Sequence, residues 1–489
     1  MNRAIRRVSV AAAIMVILLL LQLTNVQVFQ ANSLRQDPRN SRMLLDEYSR
    51  QRGQITADGQ VLAVSVPAEG QIPWQRQYPD PDSVPFSPVV GYYSLQYSTA
   101  GLESTQDAFL NGSDDRLWTE RLRGFLSGRT PQGGNVDLTL SPAGQRTAYD
   151  ALQRGTGQGP LVGSVAAVKP STGEILSLAS SPSFNPNDLL SGSDEASQTM
   201  ENLTQDPGQP LLNHATQTAL PPGSIYKVIT TAAALESGMT PDSPVSGAPS
   251  TVLPGTVTSL ENYGGSTCGG GGTTTLSTAF ALSCNVPFVE SAPQIGQDKF
   301  EDVAKRFGYD GQAPDIGVPT SPSGVGDVGD DAQLAMSAIG QSDVRSTTLQ
   351  AAMMAATVSN NGKRMHPQLI RRLQAPNLST VSEFKPKEAG EAVSPDIAAQ
   401  LTTLMEGSEQ HSGGGLPGVQ IASKTGTAEH GEGDSSVPYT WYIAFAPGRD
   451  VAVAVCIESG PGITSDTVGA TVAAPIGREV IGSILGGAQ

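Results

Sequence analysis

The chain has 489 residues, a formal net charge of −16 at pH 7 and a sequence pI of about 4.7. This acidic balance argues against a nucleic-acid partner, because a protein that binds nucleic acid presents a basic face. The length suffices for two or three domains, and an apolar content of 38% with 54 glycines and 35 prolines predicts a loop-rich extracellular globular protein.

An uncharged apolar segment follows three arginines at the N-terminus. Arg3, Arg6 and Arg7 precede residues 8–29, which would span about 33 Å as a helix, enough for a bilayer. The arginines place residues 1–7 in the cytoplasm and the rest of the chain outside. A cleaved signal peptide is the alternative, but the apolar run is long and no clear Ala-x-Ala site follows it. We therefore predict an uncleaved single-pass anchor in the cell membrane.

The next region, residues 30–155, is predicted to be a β-rich module. Asp58-Gly59 marks a turn between two strands. Ser141 is a plausible helix N-cap, and Pro142 suits the first helical position. The predicted elements are strands at Gln54–Thr56, Val61–Val66 and Val136–Leu140, a helical patch near Leu117–Phe125, and a helix from Ser141 through Leu152.

Residues 156–489 are predicted to form an α+β domain whose sheet unites the two ends of the region. A hairpin around the turn Lys169–Gly173 begins the region. Three more strands lie near the C-terminus, before a last helix over about Val472–Leu485. The predicted strands are Gly163–Val168, Glu174–Ser180, Val419–Ser423, Thr440–Phe445 and Val451–Ile457.

Between these strands, Ser224 stands after the helix breaker Pro222-Gly223 and before the Ala-rich helical run Val228–Glu236. A serine at a helix N-terminus lies where backbone N–H groups and the helix dipole favour developing negative charge. Lys227, three residues on, shares the same helix face and can direct its amine toward the Ser224 hydroxyl. A lysine deprotonates serine only if burial or a nearby cation lowers its pKa, and the apolar surroundings could supply burial.

The pattern Ser-x-x-Lys is weak by itself, because Ser382–Lys385 repeats it among charges and directly before Pro386. A second pattern, Ser283-Cys284-Asn285, places a hydroxyl and an amide on a tight turn. It also has decoys, at Ser183–Asn185 and Ser359–Asn361. Neither pattern alone is specific enough to indicate a function.

The third pattern, Lys424-Thr425-Gly426-Thr427, occurs once and follows a predicted strand. Its glycine lets a substrate backbone approach the strand edge, and its lysine supplies a second cation. Taken singly, Ser224 could be an ordinary N-cap, Lys227 a solvated side chain and Lys424 the end of an edge strand. The three patterns in this order favour a catalytic constellation.

Histidine is scarce, which narrows the chemistry open to Ser224. The four histidines are His214, His366, His411 and His430. None lies in a context typical of a Ser-His-Asp hydrolase, so serine chemistry here needs another base. Four scattered histidines and three cysteines also argue against a dedicated zinc site.

The cysteines leave two interpretations open. Cys268 and Cys284 could form a disulfide closing a short extracellular loop, worth about 3 kcal/mol on a chain-entropy argument. Alternatively they are small buried residues. Cys456 lies in an apolar run and is predicted to be core.

The three patterns, about 60 and about 140 residues apart, resemble the Ser-x-x-Lys, Ser-x-Asn and Lys-Thr-Gly signature of the penicillin-binding transpeptidases. The apolar anchor, the module before the catalytic region and the lack of room for a glycosyltransferase domain indicate class B of that family. Further similar segments are Leu212–Ala215 (with His214 in place of an arginine), Ala338–Gln341, Thr348–Gln350, Asn361-Gly362 and Arg52–Ile55.

The resemblance implies a serine β-lactamase/transpeptidase-like domain, an antiparallel sheet flanked by helices, that transfers an acyl group in two steps. Ser224 would attack the carbonyl between two terminal D-alanines of a peptidoglycan stem peptide, with Lys227 as general base. Ser283 would pass a proton to the departing D-alanine. Asn285 would hold the substrate's backbone amide. An amine of a neighbouring stem would then take the acyl group and complete the cross-link.

The resemblance also assigns the Lys424–Thr427 segment. Backbone N–H groups of Ser224 and Thr427 would form the oxyanion hole. Thr425 and Thr427, helped by Lys424, would bind the terminal carboxylate beside Gly426. β-Lactams would mimic the D-Ala-D-Ala unit and leave the serine acylated. The reaction needs no metal or cofactor.

The family likeness further implies a role in cell wall synthesis and cell division. Residues 30–155 would be a non-catalytic pedestal or dimerisation module, and a membrane glycan polymerase is the expected partner. Alternatives are a D,D-carboxypeptidase, a β-lactamase and a β-lactam sensor or scaffold. The additional module disfavours the β-lactamase, and a cytoplasmic tail of seven residues disfavours the sensor.

Overall fold

The computed structural model describes residues 2–30, 48–70, 72–79, 81, 83–127, 132–429 and 437–486. The helices are α1 (Asn2–Thr24), α2 (Ser83–Val90), α3 (Gly101–Thr105), α4 (Asp107–Leu110), α5 (Trp118–Ser127), α6 (Pro142–Arg154), α7 (Asp194–Gln205), α8 (His214–Gln217), α9 (Lys227–Glu236), α10 (Leu276–Ala281), α11 (Val286–Ile295), α12 (Gln297–Arg306), α13 (Asp331–Ser337), α14 (Thr348–Ser359), α15 (Pro395–His411) and α16 (Ala473–Gly486).

The strands alternate with these helices and form one five-stranded sheet, one six-stranded sheet and several two-stranded ribbons. They are β1 (Ile55–Ala57), β2 (Gln60–Pro67), β3 (Trp74–Gln77), β4 (Tyr93–Ser94), β5 (Ser98–Thr99), β6 (Asn135–Leu138), β7 (Val162–Val168), β8 (Ile175–Ser181), β9 (Pro244–Ser246), β10 (Ser250–Val252), β11 (Ser259–Glu261), β12 (Thr273–Thr275), β13 (Lys363–Met365), β14 (Ile370–Gln374), β15 (Thr380–Glu383), β16 (Glu388–Glu391), β17 (Ala422–Ala428), β18 (Tyr439–Phe445) and β19 (Ala452–Ser459).

The N-terminal helix fits the predicted membrane anchor. Residues Ile5–Gln27 have a mean hydropathy of 2.2 and are long and apolar enough to cross a membrane. The α-helix begins at Asn2, before the predicted start at Val8, and continues from Asn25 to Phe29 as a π-helical turn. Its large apolar side chains are exposed, as expected for a surface that lipid would cover.

The five-stranded sheet has the order β17-β18-β19-β7-β8, and each neighbouring pair is antiparallel. Strand β19 pairs with β7, so the sheet joins the two ends of the catalytic region as predicted. Helices α6 and α16 pack on one face, and α14 packs on the other. Because both faces are covered, the central strands are continuous buried apolar runs.

Most predicted elements of this domain are confirmed, but the position of one strand is wrong. The prediction put a strand at Val419–Ser423, whereas β17 runs from Ala422 to Ala428 and contains the Lys-Thr-Gly segment. Gly418 has a φ of 74°, and a local turn ends there. The polar residues of β17 form a strand because each pairs with the buried aromatic strand β18, with Gly426 opposite Trp441.

The N-terminal module is built on the six-stranded sheet, in the order β15-β14-β6-β1-β2-β3. The predicted hairpin of β1 and β2 turns at Asp58-Gly59, where both residues have positive φ. Strands β14 and β15 come from the C-terminal region and extend this sheet through β6. Helix α6, capped by Ser141 as predicted, packs on the other, five-stranded sheet. The division between residues 155 and 156 therefore stays a prediction.

A buried charge cluster holds the N-terminal module together. Glu103 is fully buried and accepts hydrogen bonds from Arg52 at 2.9 Å and from Arg76 at 2.6 Å. Tyr78 donates its hydroxyl to the same carboxylate at 3.2 Å. Burial alone would raise the pKa of the Glu103 carboxyl, but the two guanidinium groups hold it below its usual value. The carboxylate thus compensates two arginines that water cannot reach.

We expect Glu103→Ala to lower the free energy of unfolding by about 3–5 kcal/mol, because it leaves the buried guanidinium of Arg76 without its counter-charge, while Arg52 keeps its pair with Asp107. The control is Glu120→Ala, which removes an exposed pair with Arg123 in the same module and should cost at most about 1 kcal/mol. Urea unfolding followed by circular dichroism measures both. Equal midpoints for the two variants would show that the cluster does not stabilise the module.

Candidate active site

Ser224 lies in a single 3₁₀ turn, Gly223–Tyr226, that leads directly into α9. The prediction of a serine at an α-helical N-terminus is therefore corrected by one turn, since the α-helix proper begins at Lys227. The turn needs a glycine before the serine, because Gly223 has a φ of 53° and a Cβ there would lie 2.8 Å from the carbonyl oxygen of Thr427.

The side chain of Lys227, the first residue of α9, is buried in the protein. Every residue from Lys227 to Leu235 is buried, and the Lys227 side chain is among the largest fully buried side chains of the described residues. The ring of Phe288 lies 5.4 Å from Nζ. The predicted apolar environment of this lysine is confirmed.

The three sequence motifs meet at the turn Ser283–Asn285. Lys227 Nζ donates to the carbonyl oxygen of Ser283 at 2.7 Å and to Oδ1 of Asn285 at 2.8 Å. Lys424 Nζ donates to the hydroxyl of Ser283 at 2.7 Å and to the carbonyl oxygen of Thr425 at 3.0 Å. One polar network therefore joins residues that lie up to 197 positions apart in the chain (227 to 424).

Burial lowers the pKa of both amines. Desolvation, followed by the charge of Lys424, moves the pKa of Lys227 well below its ordinary value of 10.5. Desolvation lowers the pKa of Lys424 to about 7. An amine in this state can exist in neutral form near neutral pH, which is the condition for accepting a proton from a serine hydroxyl.

The disulfide interpretation of Cys268 and Cys284 is confirmed, since the two residues are bonded. Cys284 is the central residue of the Ser283–Asn285 turn, so the bond attaches this turn to the loop that precedes β12. Ser283 itself has a φ of 59°, in the left-handed region. Cys456 is free and buried, as predicted.

Strand β17 lies against the serine turn. A Cβ on Gly426 would lie 2.9 Å from the carbonyl oxygen of Pro222 and 3.1 Å from Cβ of Trp441. Trp441 also donates its indole N–H to the carbonyl oxygen of Pro221 at 2.9 Å. The glycine therefore sets the spacing between the strand and the turn.

A buried carboxylate, that of Glu409, fixes the N-terminal end of β17. Glu409 accepts hydrogen bonds from Ser423, from Tyr442 at 2.9 Å and from Arg478 at 2.7 Å. Ser423 directly precedes Lys424, so this contact fixes the strand where the buried lysine leaves it. No sequence signal marked Glu409.

A groove of about 940 Å³ opens over this network. The buried amines of Lys227 and Lys424 lie beneath it. Six of the eight predicted site residues line it, namely Ser224, Ser283, Asn285, Thr425, Gly426 and Thr427.

Sequence reasoning missed several residues of the groove wall. Glu261, Asn262 and Tyr263 come from the end of the β10–β11 hairpin, and His411 comes from the end of α15. Nothing in the sequence associated these segments with Ser224. The segment Ala338–Gln341 was marked by its similarity to the family, and it does support the serine turn. The carbonyl oxygen of Gly340 accepts a hydrogen bond from the backbone N–H of Gly223 at 3.0 Å.

The decoy patterns lie elsewhere. Ser382 is in β15, at the edge of the six-stranded sheet. Ser183 bonds to Ser87 of α2. His214 is buried and contacts Glu458 at 2.8 Å, and it does not line the groove. Ser382 and Ser183, which match one pattern each, therefore lie away from the groove that Ser224 and Ser283 line.

Comparisons with known proteins agree with this geometry. The model of the penicillin-binding protein transpeptidase domain matches residues 163–482, and that of the penicillin-binding protein A dimerisation domain matches residues 52–136. The chain is 51% identical to the peptidoglycan D,D-transpeptidase PbpA of Mycolicibacterium smegmatis over 492 residues, covering 99% of each chain. It is 48% identical to the Mycobacterium tuberculosis protein of the same name, covering 100% of each.

The fold is also similar to a solved structure. The ceftriaxone acyl-enzyme complex of penicillin-binding protein A from M. tuberculosis superimposes with a TM-score of 0.87 at 47% identity, covering 90% of this chain and 100% of that one. The sequence motifs predict a likeness to penicillin-binding protein A of actinobacteria, and these relatives confirm it.

We expect Gly426→Val to slow acylation by a fluorescent penicillin about a hundredfold, because the added side chain pushes the strand away from the serine turn. Valine is a good strand former, so lost strand propensity would not explain the effect. Gly407→Ala is the control, since nothing lies within 4 Å of the added Cβ. An unchanged acylation rate in Gly426→Val would contradict the tight spacing.

Proposed function

The chain belongs to the penicillin-binding protein transpeptidases, and on that premise we propose that Ser224 is its acylated nucleophile and Lys227 its general base. It is a peptidoglycan D,D-transpeptidase of cell wall synthesis and a target of β-lactams. The observation that carries the proposal is the pair of hydrogen bonds holding the buried Lys227 amine on the Ser283–Asn285 turn.

Those two hydrogen bonds orient the base. A neutral amine has two N–H groups and one lone pair, and both N–H groups of Lys227 have acceptors in Ser283 and Asn285. The lone pair is then free to accept the hydroxyl proton of Ser224, three residues earlier on the same turn. Proton transfer from Ser224 Oγ to Lys227 Nζ accompanies attack of Oγ on the carbonyl carbon between the two D-alanines.

The resulting oxyanion is stabilised by the backbone N–H groups of Ser224 and Thr427. The absence of side chains on Gly223 and Gly426 supports this role, because it lets the serine turn and strand β17 lie in close contact. In other enzymes one such donor contributes about 2.7–4 kcal/mol to transition-state stabilisation. Collapse of the intermediate breaks the peptide bond, and the departing D-alanine amine takes the hydroxyl proton of Ser283. Lys424 already donates a hydrogen bond to the Ser283 oxygen, so the Ser283 proton points away from the Lys424 amine, and the cationic form of Lys424 returns a proton to Ser283 as that proton leaves.

Substrate binding falls to the groove wall. Thr425 and Thr427 donate hydroxyl protons to the terminal carboxylate, and the cationic form of Lys424 adds favourable charge from below. The Asn285 side-chain amide donates one N–H to the carbonyl oxygen of Glu261 at 3.0 Å. Its second N–H is available for a substrate carbonyl. Gly426 contributes through the position of its backbone in β17, because a Cβ there would meet Pro222 and Trp441.

The remainder of the chain serves localisation and assembly. The three N-terminal arginines keep residues 1–7 in the cytoplasm, and the apolar helix α1 carries the transpeptidase domain to the outer face of the membrane. The module of residues 30–155 is non-catalytic, and the enzyme is monofunctional. A membrane glycan polymerase supplies strands to be cross-linked and contacts the anchor and this module.

We expect Ser224→Ala to abolish covalent labelling of the purified protein by a fluorescent penicillin, since the acyl acceptor is removed. Ser382→Ala, which alters the decoy motif, should label like the unchanged protein. Peptide mapping by mass spectrometry then locates the adduct. Equal labelling of Ser224→Ala and the unchanged protein would remove Ser224 as the nucleophile.

The acylation rate should fall as the pH is lowered through the pKa of Lys227, because a protonated amine cannot accept the serine proton. Since the charge of Lys424 helps lower that pKa, Lys424→Met should raise it and move the acidic limb of the rate profile to higher pH. Stopped-flow measurement of acylation across pH tests the direction of the shift.

Lys227→Ala provides the reference for this profile. It should slow acylation by about 10²–10⁴-fold and remove the acidic limb altogether. An acidic limb that persists in Lys227→Ala, or one that moves to lower pH in Lys424→Met, would contradict the assignment of Lys227 as the base.

A further inference from the structure

We propose that Asn262, which belongs to none of the three motifs, is a positioning residue that holds the Ser283–Asn285 turn in its reactive arrangement. The inference rests on the proposed roles of Lys227 and Asn285. Asn262 directly follows β11 and is 4% exposed. It is separated from Asn285 by 23 positions of chain.

All four hydrogen-bonding positions of the Asn262 carboxamide are used. Its Oδ1 accepts from the backbone N–H of Asn285 at 2.8 Å and of Val286 at 3.0 Å. Its Nδ2 donates to the carbonyl oxygens of Ala248 and Ser266, both at 2.9 Å. A carboxamide has two donors and two acceptor lone pairs, so this side chain is fully satisfied between two loops and the catalytic turn.

The need for this contact comes from helix α11. Its N-cap is Asn285, a residue type that ordinarily caps its own helix by accepting from an N–H two or three residues on. Here the Asn285 side chain makes no capping bond. It is used instead by Lys227 and by the carbonyl oxygen of Glu261. Asn262 instead binds the backbone N–H groups of Asn285 itself and of Val286, at the point where the Ser283–Asn285 turn enters α11, and so fixes the backbone that carries the Asn285 side chain.

Removal of Asn262 therefore has a specific consequence. The backbone N–H groups of Asn285 and Val286 lose their acceptor, so the turn is no longer fixed from the side of Asn262. A shift of this backbone moves the Asn285 side chain away from Lys227 and from the substrate amide. The Cys268–Cys284 disulfide still attaches the turn to its loop, so we expect the variant to fold with a displaced side chain.

The test uses Asn262→Ala in the full-length protein, with acylation by a fluorescent penicillin measured across pH. We expect the second-order rate to fall between about tenfold and a hundredfold. The acidic limb should move to lower pH, because the protonated amine of Lys227 loses an acceptor.

Asn187→Ala is the matched control. Asn187 is partly buried, and its carboxamide accepts from Tyr78 N at 3.0 Å and donates to Tyr78 O at 2.8 Å, outside the groove. It should lower the melting temperature without changing the rate profile.

Two outcomes would overturn the proposal: an Asn262→Ala profile that matches the unchanged protein, or Asn262→Ala and Asn187→Ala slowing acylation equally with no shift of the acidic limb. Ser224→Ala in the same assay reports separately on the proposed nucleophile, so a failure of the catalytic assignment is distinguishable from a failure of this one.

Discussion

The buried amine of Lys227 is the constraint on which the rest of the site depends. Among the described residues no carboxylate forms an ion pair with it, so no counter-charge offsets the cost of burying its positive charge. The amine is held by two neutral acceptors, the carbonyl of Ser283 and the side chain of Asn285. The charge of the neighbouring Lys424 also lowers the pKa of Lys227. Burial without a counter-charge lowers the pKa of a lysine and so makes it a usable base. The same burial lowers the stability of the folded protein.

The surrounding fold meets that constraint by bringing three remote segments into close contact. Backbone approaches within van der Waals distance are possible because Gly223 and Gly426 lack side chains, and Trp441 ties the serine turn to the central sheet. The turn that receives the amine is itself fixed from outside by the Cys268–Cys284 disulfide and by Asn262. The five-stranded sheet therefore acts as a rigid support, while short-range polar contacts determine where each reacting group points.

Local patterns in the sequence predicted the parts of this arrangement that depend on local chemistry. The hairpin of β7 and β8 follows from apolar runs around turn residues, and the burial of Lys227 follows from the Ala-rich helix behind it. The position of β17 was wrong because its polar residues form a strand only through pairing with β18. The joining of β14 to β6 was not predictable, since it pairs residues more than 230 positions apart, such as Ile370 with Leu138. Asn262 was missed for the same reason: an isolated asparagine carries no signal until tertiary structure places it beside a helix start.

Measuring the pKa of Lys227 in the substrate-free enzyme tests most directly whether this amine can act as the base. The chain has eight lysines, so a protein labelled with ¹⁵N and ¹³C at lysine gives a side-chain NMR spectrum that can be assigned, with Lys227→Arg identifying the relevant signal. We expect this amine to titrate well below 10.5 and its pKa to rise when Lys424 is replaced by methionine. A Lys227 signal that titrates near 10.5, unaffected by that replacement, would contradict the central claim.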